Sequence, residues 1–335
     1  MPFPETNSGR WTSSDAAHLP AETAPSLALA VPTAEIAAAV TFARAEKADA
    51  TRRAYQTDFA IFGTWCSKRK VADLPATAET VAAFLAFEAS RSIRPSTIGR
   101  RLAAVRYAHR LAGHESPTNA ETVRATLRGI RRTMGTAPIR KAPITAEQVR
   151  AMAAAAPDTL AGLRDRALIL LGFAAALRRS ELVALNVEDL EETAGGLCIR
   201  IARSKTDQEG QGAVIAIVPG AVACPIKSIK SWLTAAEITD GPVFRPIVKG
   251  GRVTADRLSD KSAVDIIKCY AQRIGLDAKS VGGHSLRAGF LTSAAARGAS
   301  IFKMMDVSRH KSVDTLRGYV RDAEKFRDHA GTGLL

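Results

Sequence analysis

Residues 135–144 read GTAPIRKAPI, and this stretch decides how the chain divides. Two prolines and a lost apolar period mark it as a linker, taken here as residues 136–144. On its N-terminal side apolar residues recur at helical spacing near 33–46, 51–68, 78–91, 96–112 and 118–134. In the second of these segments Tyr55, Phe59, Phe62 and Cys66 keep the rhythm, with Trp65 beside them. Pro75, Pro95 and Pro117 punctuate the series, and no strand alternation interrupts it. Residues 33–135 are therefore expected to be an all-helical bundle. On the C-terminal side Thr145 and Gln148 make a capping-box start, and helices are expected near 145–156, 161–176, 225–236, 262–274, 284–297, 300–306 and 312–319. Residues 197–202 (LCIRIA) and 213–218 (AVIAIV) alternate as strands around a polar turn, which predicts a hairpin with a long loop. The expected fold is mainly α with a small antiparallel β-sheet. Residues 145–335 form the second domain with a C-terminal tail. Residues 1–32, with Pro2, Pro4, Pro20, Pro25 and Pro32 and no apolar period, are expected to be a mobile head.

The 335 residues are 46% hydrophobic, enough for real cores and two domains of ordinary size. The longest apolar run, residues 167–177, is half of what a membrane span needs, so no membrane association is expected. No basic-then-apolar leader opens the chain, and a cytoplasmic, nucleoid-associated protein is expected. Cys66, Cys198, Cys224 and Cys269 are scattered, with no pair at CxxC spacing, which argues against a disulfide scaffold or a thiolate zinc site.

The formal net charge is +14 and is unevenly placed. Residues 41–142 carry 19 basic and 8 acidic side chains, whereas residues 1–40 carry one and four. Arg100, Arg101, Arg106 and Arg110 fall in one helical segment, and Arg124, Arg128, Arg131 and Arg132 in another. Such a field attracts polyanions and makes nucleic acid the leading partner, although a solvated face kept for solubility has the same composition. Arg100, Arg101, Arg106, Arg124, Arg128 and Arg131 are the candidate DNA contacts.

Several chemistries are missing from the sequence. There is no GxxxxGK[ST] loop, no GxSxG elbow and no HExxH. Glu188, Asp189, Glu191 and Glu192 read as a solvated helix end and turn rather than a metal site. Against these absences stand three fragments. Residues 177–182 (LRRSEL) put Arg178 at the end of the apolar run, where a simple helix cap is the bland reading. Residues 283–287 (GHSLR) open a helix with His284 and Arg287 three apart, which predicts a shared face. Residues 309–319 carry Arg309, His310 and Tyr319, where a helix-end aromatic is the ordinary alternative.

Taken in order, Arg178, Lys205 of the hairpin loop, His284, Arg287, His310 and Tyr319 closely resemble the tyrosine recombinase (phage integrase) family. The resemblance covers residues 145–325 by motif and extends to the helical block at 40–135, which looks like the family's core-binding domain. It implies a tyrosine-recombinase-like catalytic domain that cuts and rejoins DNA through a 3′-phosphotyrosyl link, with integration or excision of a mobile element as the expected use. Arg178 and Arg287 would bind the phosphate oxygens, Tyr319 would attack and His284 would serve as its base. His310 would hydrogen-bond a phosphate oxygen or steady the site, and Lys205 would protonate the departing 5′-oxygen. No metal and no cofactor are implied. The implied partners are double-stranded DNA gripped by both domains, further copies of the chain in a tetramer on two DNA sites, and an accessory DNA-bending factor. Type IB topoisomerase-like relaxation and a catalytically inactive DNA-binding regulator are the rival readings. One departure stands out: where the family usually has a small residue before the second His, this chain has Arg309, expected to add a phosphate contact or alter the turn.

Overall fold

The computed structural model describes residues 34–35, 37–38, 41–42, 46–137, 141–202, 212–323 and 331–332, the last three residues of 212–323 by their backbone only. The expected head, residues 1–32, lies outside them. The chain packs as two compact units, Met1–Pro138 and Ile139–Leu335, each around its own apolar core.

The first unit is helical: α1 (Asp49–Ser67), α2 (Ala78–Ser90), α3 (Pro95–Leu111), a 3-10 turn (Pro117–Asn119) and α4 (Glu121–Met134). Phe59, Phe62 and Trp65 of α1 turn inward against Phe84 of α2, with the Phe62 and Phe84 rings edge to face at 5.0 Å. Pro95 opens α3 where its missing N–H costs nothing, and the Thr77 hydroxyl caps α2 through the Thr80 N–H. His109 of α3 is fully buried, with Nδ1 2.9 Å from the Val105 carbonyl and Nε2 accepting the Ala76 N–H at 2.9 Å. A carbonyl only accepts, so the ring is the Nδ1–H tautomer, and burial holds its pKa below the ordinary histidine value.

The second unit continues with α5 (Ala146–Ala154), α6 (Leu160–Ala174), α7 (Arg179–Ala184), a 3-10 turn (Val187–Asp189), β1 (Leu190–Thr193), β2 (Gly196–Ile201) and β3 (Ala213–Ile217). It closes with α8 (Pro225–Ala235), α9 (Asp260–Arg273), α10 (Ser285–Ala296), α11 (Ile301–Ser308) and α12 (Val313–Ala323). Thr145 and Gln148 form the reciprocal capping box at the start of α5. The three strands pair antiparallel in the order β1-β2-β3, with Leu197, Ile199, Ile201, Ile215 and Ile217 facing the core. Helix α6 is apolar on nearly all sides and is correspondingly buried.

Strand β1 corrects the expectation for the acidic run. Glu188 and Asp189 lie in the 3-10 turn, and Glu191 and Glu192 lie on the edge strand rather than on a helix end. Leu190-Glu191-Glu192-Thr193 has one apolar residue and no readable period, so only the free edge of β2 makes it a strand. Its charges suit an edge that must not pair further.

The end of the linker is stitched to α10. The Ile144 N–H bonds the Ser285 carbonyl at 3.0 Å, and the Ala146 N–H bonds Ser293 Oγ at 2.9 Å. Gly289 permits this approach, because a Cβ there would stand 1.6 Å from the Ile144 carbonyl oxygen.

Candidate active site

Two helix ends in the left-handed conformation build the site. At the end of α6, Ala176 takes φ +46°, its N–H bonds the Phe173 carbonyl, and the Leu177 N–H reaches back to the Gly172 carbonyl. This paired closure satisfies the last carbonyls of α6 and turns the chain sharply, so that Arg178 becomes the N-cap of α7. At the end of α11, Arg309 takes φ +56° and its N–H bonds the Met305 carbonyl at 2.6 Å. That conformation explains why a small residue suits this position and why an arginine here carries a backbone cost of about 1 kcal/mol.

The side chains delivered by these ends converge. Arg287, on the first turn of α10, is 4% exposed and donates to the Ala176 carbonyl at 2.6 Å and to the Ser308 carbonyl. The two left-handed ends are thereby tied together by one guanidinium. Its Nη2 lies 3.4 Å from both ring nitrogens of His310. Arg178 Nη1 donates to Glu181 Oε1 at 2.6 Å, and Arg309 Nη2 donates to Glu181 Oε2 at 2.7 Å. Glu181 also accepts the Arg178 N–H at 2.8 Å, so its carboxylate is engaged on both oxygens. Tyr319 lies on α12, half-buried against a small cluster of Leu291, Ala295, Met304 and Leu316.

The electrostatics follow from burial. Among the described residues, the Arg178, Arg287 and Arg309 side chains carry three positive charges beside the carboxylate of Glu181. Arg309 Nε and Nη1 are buried with no acceptor among the described residues. Burial alone would raise the Glu181 carboxyl, but Arg309 and Arg178 outweigh it and hold the group below the usual carboxylate range. Burial, then the neighbouring Arg178, pushes Arg287 down to about 10, so it stays charged at neutral pH. Burial, then Arg287, Arg178 and Arg309, pushes His310 down to about 4, so its imidazole is neutral at pH 7. A phenolate at Tyr319 would act in the opposite sense on Arg287, favouring its charge. Among the described residues the cluster holds more guanidinium than carboxylate, which is the electrostatic profile of an anion receptor.

The sequence-derived residues are thus distributed unequally. Arg287 and His310 stand together, with Arg178 and its partner Glu181 beside Arg287. Tyr319 is within electrostatic reach of Arg287. His284 is exposed at the N-cap of α10 while Arg287 turns inward, so the shared face expected from their spacing does not extend to burial. Lys205 lies outside the described residues. Arg309 takes the left-handed turn itself, and its side chain, only 12% exposed, pairs with Glu181. Ser308, fully buried beneath His310, gave no signal in the sequence.

The candidate DNA contacts of the first unit also separate. Arg124, Arg128 and Arg131 are exposed on α4, one stripe away from the inward Val123, Leu127 and Ile130, with Arg128 paired to Glu121 at the surface. Arg100 is exposed but ion-pairs with Asp58 at 2.6 Å, and Arg106 donates to Thr118 Oγ1 at 2.8 Å. Arg101 is corrected: it is turned into the bundle onto Glu88, which is fully buried, and Asp58 at 3.7 Å. A buried carboxylate needs a partner, and that requirement outweighs any surface role for this arginine. No described helix is long and apolar enough to cross a membrane, and no group of three or more His, Cys, Asp or Glu among the described residues could hold a metal ion.

Comparison with known proteins places this arrangement. Residues 142–325 match the phage integrase family. An integrase/recombinase xerD homolog of Selenomonas ruminantium is 41% identical over 290 residues, 85% of each chain. The recombinase cre of Escherichia phage P1 is 25% identical over 283 residues, 78% of this chain and 81% of its own. Among solved structures, the XerH site-specific recombinase in a post-cleavage complex with a palindromic difH substrate superposes with a TM-score of 0.61 at 17% identity. That match covers 84% of this chain and 79% of the other. A lambda integrase dimer bound to a COC′ core site gives a TM-score of 0.57 at 16% identity, over 88% and 77% of the two chains.

Proposed function

The chain belongs to the phage integrase family, a family of tyrosine recombinases, and from that premise we propose that it cuts and rejoins DNA at specific sites with Tyr319 as the nucleophile. The observation that carries this reading is the buried cluster of Arg178, Arg287 and Arg309 around the single carboxylate of Glu181. A phosphodiester resists attack because its free oxygens are negative, and it gains charge as the nucleophile arrives. Guanidiniums fixed in a dry site stabilise that charge without reorganising. Attack by Tyr319 Oη on phosphorus forms the 3′-phosphotyrosyl bond and releases a 5′-oxygen. His284 is the base assigned to Tyr319, Lys205 the acid assigned to the leaving oxygen, and His310 a ligand of a non-bridging oxygen. A 5′-hydroxyl from a second strand reverses the attack and completes exchange with no external energy source.

The partner is double-stranded DNA, held in the first unit by the exposed Arg124, Arg128 and Arg131 of α4. The working assembly is a tetramer on two DNA sites, with an accessory DNA-bending factor, and the use is integration or excision of a mobile element. The similarity to a phage recombinase supports that use.

Covalent trapping tests the proposal. Wild type and Tyr319→Phe are incubated in EDTA with a nicked suicide duplex carrying candidate crossover sequence from the DNA flanking the gene. A slow-migrating adduct with wild type alone is expected, and its sequencing reads out the nucleophile. Binding without an adduct at every nick position overturns the catalytic reading in favour of a DNA-binding protein. Adduct formation with supercoil relaxation but no strand exchange between two sites overturns the recombinase reading in favour of a topoisomerase.

A further inference from the structure

The hydroxyl of Ser308, fully buried at the end of α11, stands between two groups: its Oγ is 2.6 Å from the Met304 carbonyl oxygen and 2.8 Å from His310 Nδ1. A hydroxyl has one proton to give, and a carbonyl oxygen can only accept. An O···O separation of 2.6 Å requires a proton between the atoms, so the Ser308 proton is on the Met304 side. The Ser308 oxygen is left as the acceptor toward His310, and His310 Nδ1 must carry the proton it donates. A neutral imidazole has one N–H only, and His310 is neutral in the free protein because burial and the surrounding arginines disfavour its charge. Its Nε2 is therefore an unprotonated lone pair, facing the Arg287 Nη2 donor at 3.4 Å and unable to donate to a phosphate oxygen. The charged groups that act on the ring are Arg287 on α10, Arg178 at the start of α7 and Arg309 beside it, while Glu181 and Tyr319 act on Arg287 in turn. All three that act on the ring are cations, so a proton on His310 is unwelcome until an anion arrives.

We propose that Ser308 is a positioning residue that locks His310 as the Nδ1–H tautomer, so that His310 grips a DNA phosphate oxygen only by taking up a proton at Nε2. This rests on the phosphate-receptor reading above and deepens it. The proton comes from solvent when the phosphate enters. Nδ1–H continues to donate to Ser308, the new Nε2–H donates to the non-bridging oxygen, and the proton returns to solvent on release. The empty site thus avoids a further buried charge, and the occupied site gains one where negative charge is growing. Ser308→Ala is a selective probe, because the backbone carbonyl that Arg287 uses is retained and only the hydroxyl is removed.

Long-range proton–nitrogen NMR on the full chain, labelled at histidine and arginine side chains, reads tautomer and charge directly, with His310→Gln assigning the signals. In DNA-free protein at pH 7 the expected state of His310 is neutral with Nδ1 protonated. Ser308→Thr retains that state, and Ser308→Ala shifts the ring toward Nε2–H. An Nε2–H or charged His310 in wild type, or identical spectra for wild type and Ser308→Ala, overturns the tautomer lock whatever the protein's activity. Saturating inorganic phosphate is then added. Protonation of His310 together with shifts of the Arg178 and Arg287 guanidinium signals supports proton uptake, and arginine shifts with His310 still neutral overturn it. No shift in any of the three defeats the phosphate-receptor reading and proton uptake with it, while the tautomer lock has already been decided by the DNA-free spectra. In single-turnover cleavage, Ser308→Ala is expected to lose the alkaline limb of the pH profile that wild type and Ser308→Thr share. An unchanged limb counts against the proposal.

Discussion

The two units spend their arginines differently. In the helical bundle the arginine turned onto buried carboxylates is matched by them: Arg101 meets Glu88 and Asp58, and Arg100 shares Asp58 from the surface. In the second unit Arg178, Arg287 and Arg309 are all largely buried around one carboxylate, and Arg287 spends its donors on carbonyls instead. The first pattern is what stability demands of a buried charge. The second contradicts that demand, and a contradiction retained at the junction of two strained helix ends points to function. Net charge alone would not have singled out the second unit, since residues 41–142 hold 19 basic and 8 acidic side chains of the net +14.

This contrast can be tested in graded steps. The largest effect is expected from Tyr319→Phe, which removes the covalent DNA adduct altogether in the trapping assay. Arg287→Ala should lower the single-turnover cleavage rate by about 100-fold or more, the usual loss for a fixed transition-state charge partner. In the bundle, Arg101→Ala should leave cleavage chemistry alone and destabilise the fold by about 3–5 kcal/mol in denaturant titration, because it strands the buried Glu88. Arg100→Ala should cost less in the same titration, because its side chain is 54% exposed and the buried Asp58 still has Arg101 at 3.7 Å. If the two arginines proved equivalent, the division between structural and surface charge would fail.

Two smaller effects refine the contrast. Replacing Arg124, Arg128 and Arg131 together by Ala should leave the melting curve nearly unchanged. It should reduce the slope of log K for DNA against log salt by about 0.9 for every phosphate that these side chains neutralise. The smallest effect concerns His109. Its folded pKa lies below its ordinary value of 6.5, so its contribution to stability is present above that pH and is lost as the pH falls through the folded value. Wild type should therefore lose unfolding free energy on acidification below about pH 6.5. His109→Gln, less stable at pH 7, should lose less of it over the same range.

The helices were legible because their cause is local. Phe59, Phe62 and Cys66 recur at the period of a helix whatever they pack against, and Thr145 with Gln148 caps α5 within four residues of chain. The strands of residues 197–202 and 213–218 announce themselves by alternation for the same reason. Strand β1 was not legible, since Leu190-Glu191-Glu192-Thr193 becomes a strand only when β2 offers an edge. At the site, the order of Arg178, Arg287, His310 and Tyr319 in the chain was enough to place the family. What each charge does was not.

That limit has a physical origin. The helical periods, the alternation of β2 and β3 and the division of the chain near residue 138 could be read from the residues alone, because each depends on neighbours a few positions away. Folding was needed to settle which arginines are buried, that Arg309 turns inward to Glu181, and that Ser308 stands under His310. These depend on desolvation and on partners as distant as Glu181 and Arg309, 128 positions apart. Charge and hydrogen-bond demand are written in each residue, but whether water or protein meets that demand is settled only when the chain has closed around it.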